Sequence, residues 1–268
     1  DGFISDEYKG IQTYDWDRWV ETVRELQPGA CTAIAPPVPD VAWVGNETGL
    51  AEGNVNSVRE RGGGLIWAKS ECDVSIRNGW FYHEDQHPKS ISKLMNIYYN
   101  SVGKNCLLLL NIPPNKEGRI DEKDVKRLEE MGKEIEAVYA SPIPVNVTVW
   151  GKNGRANDTG GPGVIANDNA ESYVFADNEY ILEFSLESAE RVKHVILSED
   201  VSRYGERVEK FTVYAKTGKS YFKAGGAESA GGKTIVKLSR FAPKSDSYRI
   251  VVEQAKGNPV IRHVAFYK

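Results

Sequence analysis

Two carboxylates stand out for their surroundings. Glu47 lies in Trp43-Val-Gly-Asn-Glu-Thr-Gly49, and Asp1 opens the chain as Asp1-Gly2-Phe3-Ile4. Each has an apolar, aromatic setting, and one helix and one short strand separate them. Paired carboxylates can divide labour, one staying ionised while the other carries a proton to a leaving group and later takes one from water. That is the raw material of a two-carboxylate hydrolase. Glu71 competes with Glu47 for the proton-carrying role. It sits in Ser70-Glu-Cys-Asp-Val-Ser-Ile-Arg77, where a structural ion pair with Arg77 is the commoner outcome, so Glu71 is taken to line the site. Trp80 and Tyr82 offer aromatic faces on which the C–H side of a sugar ring could pack, Trp43 is expected to exclude water from Glu47 and so favour its protonated form, and Phe81 reads equally well as core. His83 and His87 form an isolated His-x3-His without further ligands, and no metal is expected there.

These residues need elements to hold them. Asp15 can cap a helix with Trp16, Trp19, Val20, Val23 and Leu26 on one face, stopped by Pro28-Gly29. Cys31–Ala35 reads as a short buried strand, and Leu65–Ala68 as a second running into Glu71–Arg77. Ser90 can cap a helix bearing Ile91, Leu94, Met95, Tyr98 and Val102. Cys106–Ile112 reads as a third buried strand, and a helix comes next, from about Glu122 to Tyr139. Apolar strands alternating with helices predict an α/β arrangement with its polar and aromatic loops after the strands' C-terminal ends, as in a (β/α)8 barrel. About half a barrel is present, with Asp1 near the end of a strand whose body is expected upstream.

After Ser141-Pro-Ile-Pro144 the pattern changes to short period-two runs, among them Tyr180–Phe184, Val192–Leu197, Phe211–Ala215, Thr234–Leu238, Tyr248–Glu253 and Val260–Phe266. That predicts an all-β sandwich. The domains are therefore 1–140, a partial barrel, and 145–268, a β-sandwich. Gly225-Gly226 and Gly231-Gly232 read as surface turns, not phosphate loops.

Composition narrows the function. The 268 residues carry a net charge of −4 without long runs of one sign, which excludes a basic nucleic-acid footprint. No apolar run approaches the roughly 20 residues of a membrane-spanning helix. Cys31, Cys72 and Cys106 are too few and too scattered for a disulfide framework or zinc site and read as buried thiols.

In order along the chain, the Trp43–Gly49 segment, Ser70–His83, Leu109-Leu-Asn-Ile-Pro-Pro-Asn-Lys-Glu-Gly118 and Asp124-Val-Lys-Arg-Leu128 resemble the α-L-fucosidases of glycoside hydrolase family 29. The likeness runs from Asp1 to about Tyr139. Glu199-Asp200 and Gly205-Glu-Arg-Val208 make the second half resemble the galactose-binding-like sandwich that accompanies many such enzymes. The resemblance implies a retaining exo-α-L-fucosidase without a cofactor, acting on a fucosylated oligosaccharide or glycoconjugate. Asp1 falls at the nucleophile position, its usual preceding Trp-x missing. Glu47 falls at the acid/base position of the branch acting on α-1,3/1,4-linked fucose. Trp43, Glu71, Trp80 and Tyr82 would bind substrate. The family's N-terminal strands, which bring histidines and a tryptophan to the pocket, are missing from this sequence, so the chain is expected to be a piece, inactive alone. By analogy the location is secreted or periplasmic, or lysosomal in an animal. Two alternatives stay open: a broad-specificity α-L-fucosidase using another acid/base such as Glu71, and a non-catalytic carbohydrate-binding module.

Overall fold

The structure, a computed structural model, describes residues 15–33, 39–52, 55–61, 63–151, 154–155, 162–166, 171–175 and 180–268. Asp1 lies outside them. The described chain is mostly sheet with few helices.

Helix α1 (Trp16–Leu26) starts where Asp15 accepts a hydrogen bond from the Arg18 amide at 3.2 Å. Its predicted inward face is not covered by any described element: no α1 residue is buried, and Trp19 is 62% exposed. Arg24 ties the helix to the segment leading into the first strand, donating to the Ala30 carbonyl at 2.6 Å and to Asp40 at 2.8 Å. The Cys31 thiol, read as buried, is exposed, and only Ala33 of that predicted strand forms a described bridge, parallel to Val41.

Strand β1 (Val41–Trp43) is succeeded by an antiparallel hairpin, β2 (Val58–Arg61) with β3 (Gly64–Trp67), and then by β4 (Lys69–Ser75). The Leu65–Ala68 run is thus a hairpin arm, not a strand of the parallel sheet, and it leaves Leu65 and Trp67 exposed. Helix α2 (Ile91–Asn100), capped by Ser90, leads towards β5 (Leu107–Asn111), and α3 (Glu122–Tyr139) comes after it, capped by Asp121. The parallel sheet has the order β1-β4-β5. Its two faces differ. Val74, Leu108 and Leu110 pack with Leu94, Ile97 and Met131 of the helices. On the other face Leu107 and Leu109 are 42% and 45% exposed, so β5 is buried on one side only, contrary to its uniformly apolar sequence. Strand alternation puts Glu71 and Asp73 on that open face, level with Leu107 and Leu109.

The rest is antiparallel. The remaining strands are β6 (Asn146–Gly151), β7 (Gly154–Arg155), β8 (Tyr173–Val174), β9 (Tyr180–Glu190), β10 (His194–Glu199), β11 (Val208–Thr217), β12 (Ser220–Ala227), β13 (Thr234–Lys237), β14 (Ser245–Ala255) and β15 (Val260–Tyr267). They form a six-stranded sheet, β12-β11-β14-β9-β6-β7, and a four-stranded sheet, β13-β10-β15-β8. The inward positions of both, among them Phe184, Phe211, Tyr248 and Ile250 of one and Val195, Leu197, Ile261 and Phe266 of the other, share one core. Gly225-Gly226 is not a surface turn. It lies inside β12, where a Cβ on Gly225 would meet Val236 at 2.7 Å and one on Gly226 would meet the Phe211 carbonyl at 2.6 Å.

The outer face of the four-stranded sheet packs on the helices, with Ile196, Ile235, Ala265 and Tyr267 joining the cluster that holds Leu94 and Met131. A buried polar seam runs beside it. Asn105 donates to Glu206 at 2.8 Å, Glu206 accepts the Ser57 amide at 2.6 Å, and the Gly232 amide donates to Asn105 at 2.9 Å. Gly231 has φ +52, and the Asn105 side chain occupies the place a Cβ would take. The parallel sheet and its loops are thereby joined to the antiparallel body by both apolar and polar contacts.

His194 sits in the same interface, stacked on Tyr99 with ring centroids 5.2 Å apart and buried against Tyr139. Burial, reinforced by Lys237 and Lys193, lowers its pKa to about 4 from an ordinary 6.5. A histidine whose pKa is lower folded than unfolded binds fewer protons in the native state. Stability is therefore full above about pH 6.5 and is lost as pH falls towards 4. His194→Phe keeps the stack and removes the proton site, so the fall in Tm between pH 6.5 and 4 should be shallower in the variant. Parallel curves for the two proteins would refute this.

Candidate active site

The C-terminal ends of β1, β4 and β5 point the same way, and the loops that leave them carry the chemistry. The loop after β1 holds Glu47, and its shape is set by its sequence. Gly45 has φ +90 and Gly49 φ +74, conformations that suit glycine, and a Cβ on Gly49 would strike Val74 at 2.7 Å and Ile97 at 2.9 Å. Asn46 accepts from the amide and hydroxyl of Thr48 and donates to the Leu50 carbonyl at 3.2 Å. An Asx-type turn between two glycines thus presents Glu47 outward, where it is exposed.

The loop after β4 meets it. The Trp80 indole N–H donates to Glu47 Oε2 at 2.8 Å. Trp80 is held in turn by Asn111 at the end of β5, whose Nδ2 donates to the Trp80 carbonyl at 3.0 Å and to Ser75 Oγ at 3.1 Å. One carboxylate oxygen is therefore held by an indole, and among the described residues the other has no partner and can meet a substrate or water.

Trp43 does not touch Glu47 through its N–H. The indole donates to Asp73 Oδ1 at 2.6 Å. Glu71 stands level with Trp43 on the same sheet face. It forms no ion pair with Arg77, contrary to the sequence reading, and no hydrogen bond to its carboxylate occurs among the described residues. Burial, and then the charge of Asp73, raise its pKa above the usual glutamate range. Arg77 is committed elsewhere, to Asp124 at 2.8 and 3.1 Å and to the carbonyls of His83 and Gln86 at 3.0 and 2.9 Å. Tyr82 joins that buried knot: its hydroxyl donates to Asp121 at 3.0 Å and its ring lies under the Arg77 guanidinium, 4.8 Å away.

The structure brings Glu47 and Trp80 into contact, sets Trp43 beside Glu71 and Asp73, and engages Tyr82 with the Arg77 knot. Phe81, next to Trp80, is 80% exposed. The sequence reading missed Asp73, as the partner of Trp43, and Asn111. Asn111 carried a signal, a polar residue ending an apolar strand on the side where such folds place their chemistry. His83 and His87 are both exposed, and no metal-holding group of His, Cys, Asp or Glu occurs among the described residues.

Carboxylates and indoles gathered at the C-terminal ends of parallel strands make the kind of site that glycosidases use. Comparison with known proteins narrows the class. Residues 14–137 match the profile described as Alpha-L-fucosidase. Alpha-L-fucosidase 1 of Arabidopsis thaliana is 30% identical over 291 residues, covering 100% of this chain and 57% of the plant protein. The crystal structure of SpGH29 superposes with a TM-score of 0.84 at 28% identity, over 96% of this chain and 60% of that one. A glycoside hydrolase 29 family member from an unknown rumen bacterium gives a TM-score of 0.75 at 25% identity, over 95% and 45%. The chain belongs to the α-L-fucosidases of glycoside hydrolase family 29. It spans 57% of the curated plant relative.

Proposed function

We propose that the protein containing this chain is a retaining exo-α-L-fucosidase that releases α-1,3/1,4-linked L-fucose from glycans. In this reading the parallel sheet belongs to a (β/α)8 barrel, and the antiparallel body at 145–268 is a galactose-binding-like sandwich that braces it. The observation that carries the proposal is Glu47, presented at the strand ends with one oxygen held by Trp80 and the other without a partner among the described residues, inside the stretch that matches the family.

Glu47 gives its proton to the glycosidic oxygen while a carboxylate, assigned to Asp1, attacks the anomeric carbon. The C–O bond breaks, the aglycone leaves as an alcohol, and fucose stays on the enzyme as an ester. Glu47, now ionised, takes a proton from water, whose oxygen attacks the same carbon and frees fucose. The two carboxyl groups must stand about 5 to 5.5 Å apart for this outcome. Trp43 and Trp80 supply the faces against which the sugar packs, and Glu71 and Asp73 line the floor. Tyr82 contributes by fixing the loop through Asp121 and Arg77. A secreted or periplasmic location, by analogy with enzymes of this kind, completes the proposal.

The test is hydrolysis by the full-length protein of α-1,3-, α-1,4- and α-1,2-fucosylated trisaccharides, with the released anomer followed by NMR. Release of α-L-fucose from the first two and little from the third is expected. Initial release of the β-anomer would overturn the retaining mechanism, and equal rates on all three would overturn the linkage assignment. Trp80→Phe keeps an aromatic face but removes the N–H from Glu47. The indole N–H meets the Glu47 oxygen as negative charge develops on it during proton transfer, so its loss should lower kcat/KM by on the order of tenfold with little change in Tm. An unchanged kcat/KM would show that the contact is idle.

A second reading draws on Glu71. Its raised pKa is what a proton donor needs, and it would make the protein a broader α-L-fucosidase with Glu71 as acid/base.

A further inference from the structure

A cleft of about 350 Å³ opens beside the seam between α3 and the four-stranded sheet, lined by Tyr139, Ser198, Lys233, Arg262, His263 and Tyr267 among others. None of these residues belongs to the candidate active site. We infer that the cleft binds a sulfate or phosphate ester group carried on a sugar-sized ligand.

Backbone geometry is the first argument. In β10 and β15, Ser198 pairs with His263, but the next pair is Glu199 with Ile261, so Arg262 is an extra residue without a partner in the ladder. Regular alternation would send Arg262 and His263 to opposite faces. The bulge lets both line one cleft, the use to which such irregularities are often put.

Charge is the second. Two cationic side chains, Lys233 and Arg262, line the cleft beside the His263 imidazole, and no carboxylate does, on a chain whose net charge is −4. Among the described residues neither Arg262 nor Lys233 is paired with a carboxylate. The acids that end and follow β10 are committed: Glu199 accepts the amides of Arg207, Val208 and Gly231 at 2.8 to 2.9 Å, and Asp200, just beyond the strand, pairs with Arg203 at 2.5 Å.

Preorganisation is the third. The Lys233 ammonium lies 5.9 and 6.0 Å from the ring centroids of Tyr98 and Tyr139, and 3.4 Å from the Tyr98 hydroxyl, so its position is set before any ligand arrives. Arg262 is exposed and can turn its planar fork onto two oxygens of a tetrahedral oxyanion. The Ser198 hydroxyl supplies a further donor, and the volume admits about one sugar unit beside the ester.

The test is calorimetry on the intact protein with glucose 6-sulfate, glucose 6-phosphate, glucose and inorganic sulfate, at low and high salt. At least one ester should bind, glucose should give no heat, and affinity should fall as salt rises. Arg262→Gln, at an exposed position, should weaken ester binding at least about tenfold with Tm unchanged, and Arg262→Lys should recover part of it. Lys233→Met, checked by Tm, should weaken it independently. The tighter of the two esters identifies the source, a sulfated glycan or a sugar phosphate. No ester binding, binding indifferent to Arg262→Gln, or inorganic sulfate binding as tightly as either ester would overturn the inference. None of these readouts depends on fucosidase activity.

Discussion

Glu47→Ala should slow hydrolysis of unactivated α-1,3/1,4-fucosides by roughly 10²- to 10⁴-fold, the usual contribution of a positioned general acid. A natural oligosaccharide leaves as a poor alkoxide and needs the proton. A p-nitrophenyl fucoside leaves unaided, so its first step should suffer far less. The second step still lacks a base, so the fucosyl ester should accumulate. Azide, which needs no deprotonation, should restore turnover by attacking the anomeric carbon and displacing the carboxylate, giving α-L-fucosyl azide. The geometry favours Glu47 over its competitor because Trp80 fixes one Glu47 oxygen at 2.8 Å and no described residue takes the other at the loop's exposed edge. Glu71 lies lower on the sheet face, level with Trp43, and its neighbour Asp73 holds that indole. Glu71→Gln should therefore raise KM more than it lowers kcat. If Glu47→Ala keeps near-normal turnover of oligosaccharides while Glu71→Gln shows the azide-rescued loss, the acid/base role passes to Glu71.

Local rules reached far into this chain and then failed at long range. The caps Asp15 and Ser90 and the span Glu122–Tyr139 were readable because capping and helical periodicity are properties of neighbouring residues. The β2–β3 hairpin was missed because Val58-Arg-Glu-Arg61 is mostly charged and has no apolar alternation for a pattern to catch. Leu107–Leu110 are identical residues, so nothing local says that two face the helices and two an open side. Gly225-Gly226 looked like a turn because a glycine pair required by close packing reads the same as one required by a turn. At the site, the Glu47 loop was legible from Gly-Asn-Glu-Thr-Gly, but its contact with Trp80 spans 33 positions. Arg77 was assigned to the nearby Glu71 because proximity in sequence is the only proximity a sequence offers. Its true partner, Asp124, is 47 residues away on α3.

That misassignment matters, because Arg77 is the other residue whose loss should be large. Its side chain and that of Asp124 are 1% and 0% exposed. Arg77→Ala leaves Asp124 buried without its partner, a change that costs about 3 to 5 kcal/mol and should lower Tm by on the order of 10 °C. Arg77→Met combined with Asp124→Leu replaces the ion pair by apolar contact and should recover much of that stability. Activity should not recover with it. Arg77 also donates to the carbonyls of His83 and Gln86, and its guanidinium lies over Tyr82, so it ties down the chain just beyond Trp80. An apolar pair restores the core but offers those carbonyls no donor, and the indole that meets Glu47 loses its support. Tm and kcat/KM should thus separate in the double variant, with near-native melting and turnover reduced on the order of tenfold, one charged-group hydrogen bond's worth. Recovery of both together would mean that Arg77 serves the core alone and that Asn111 is enough to hold Trp80.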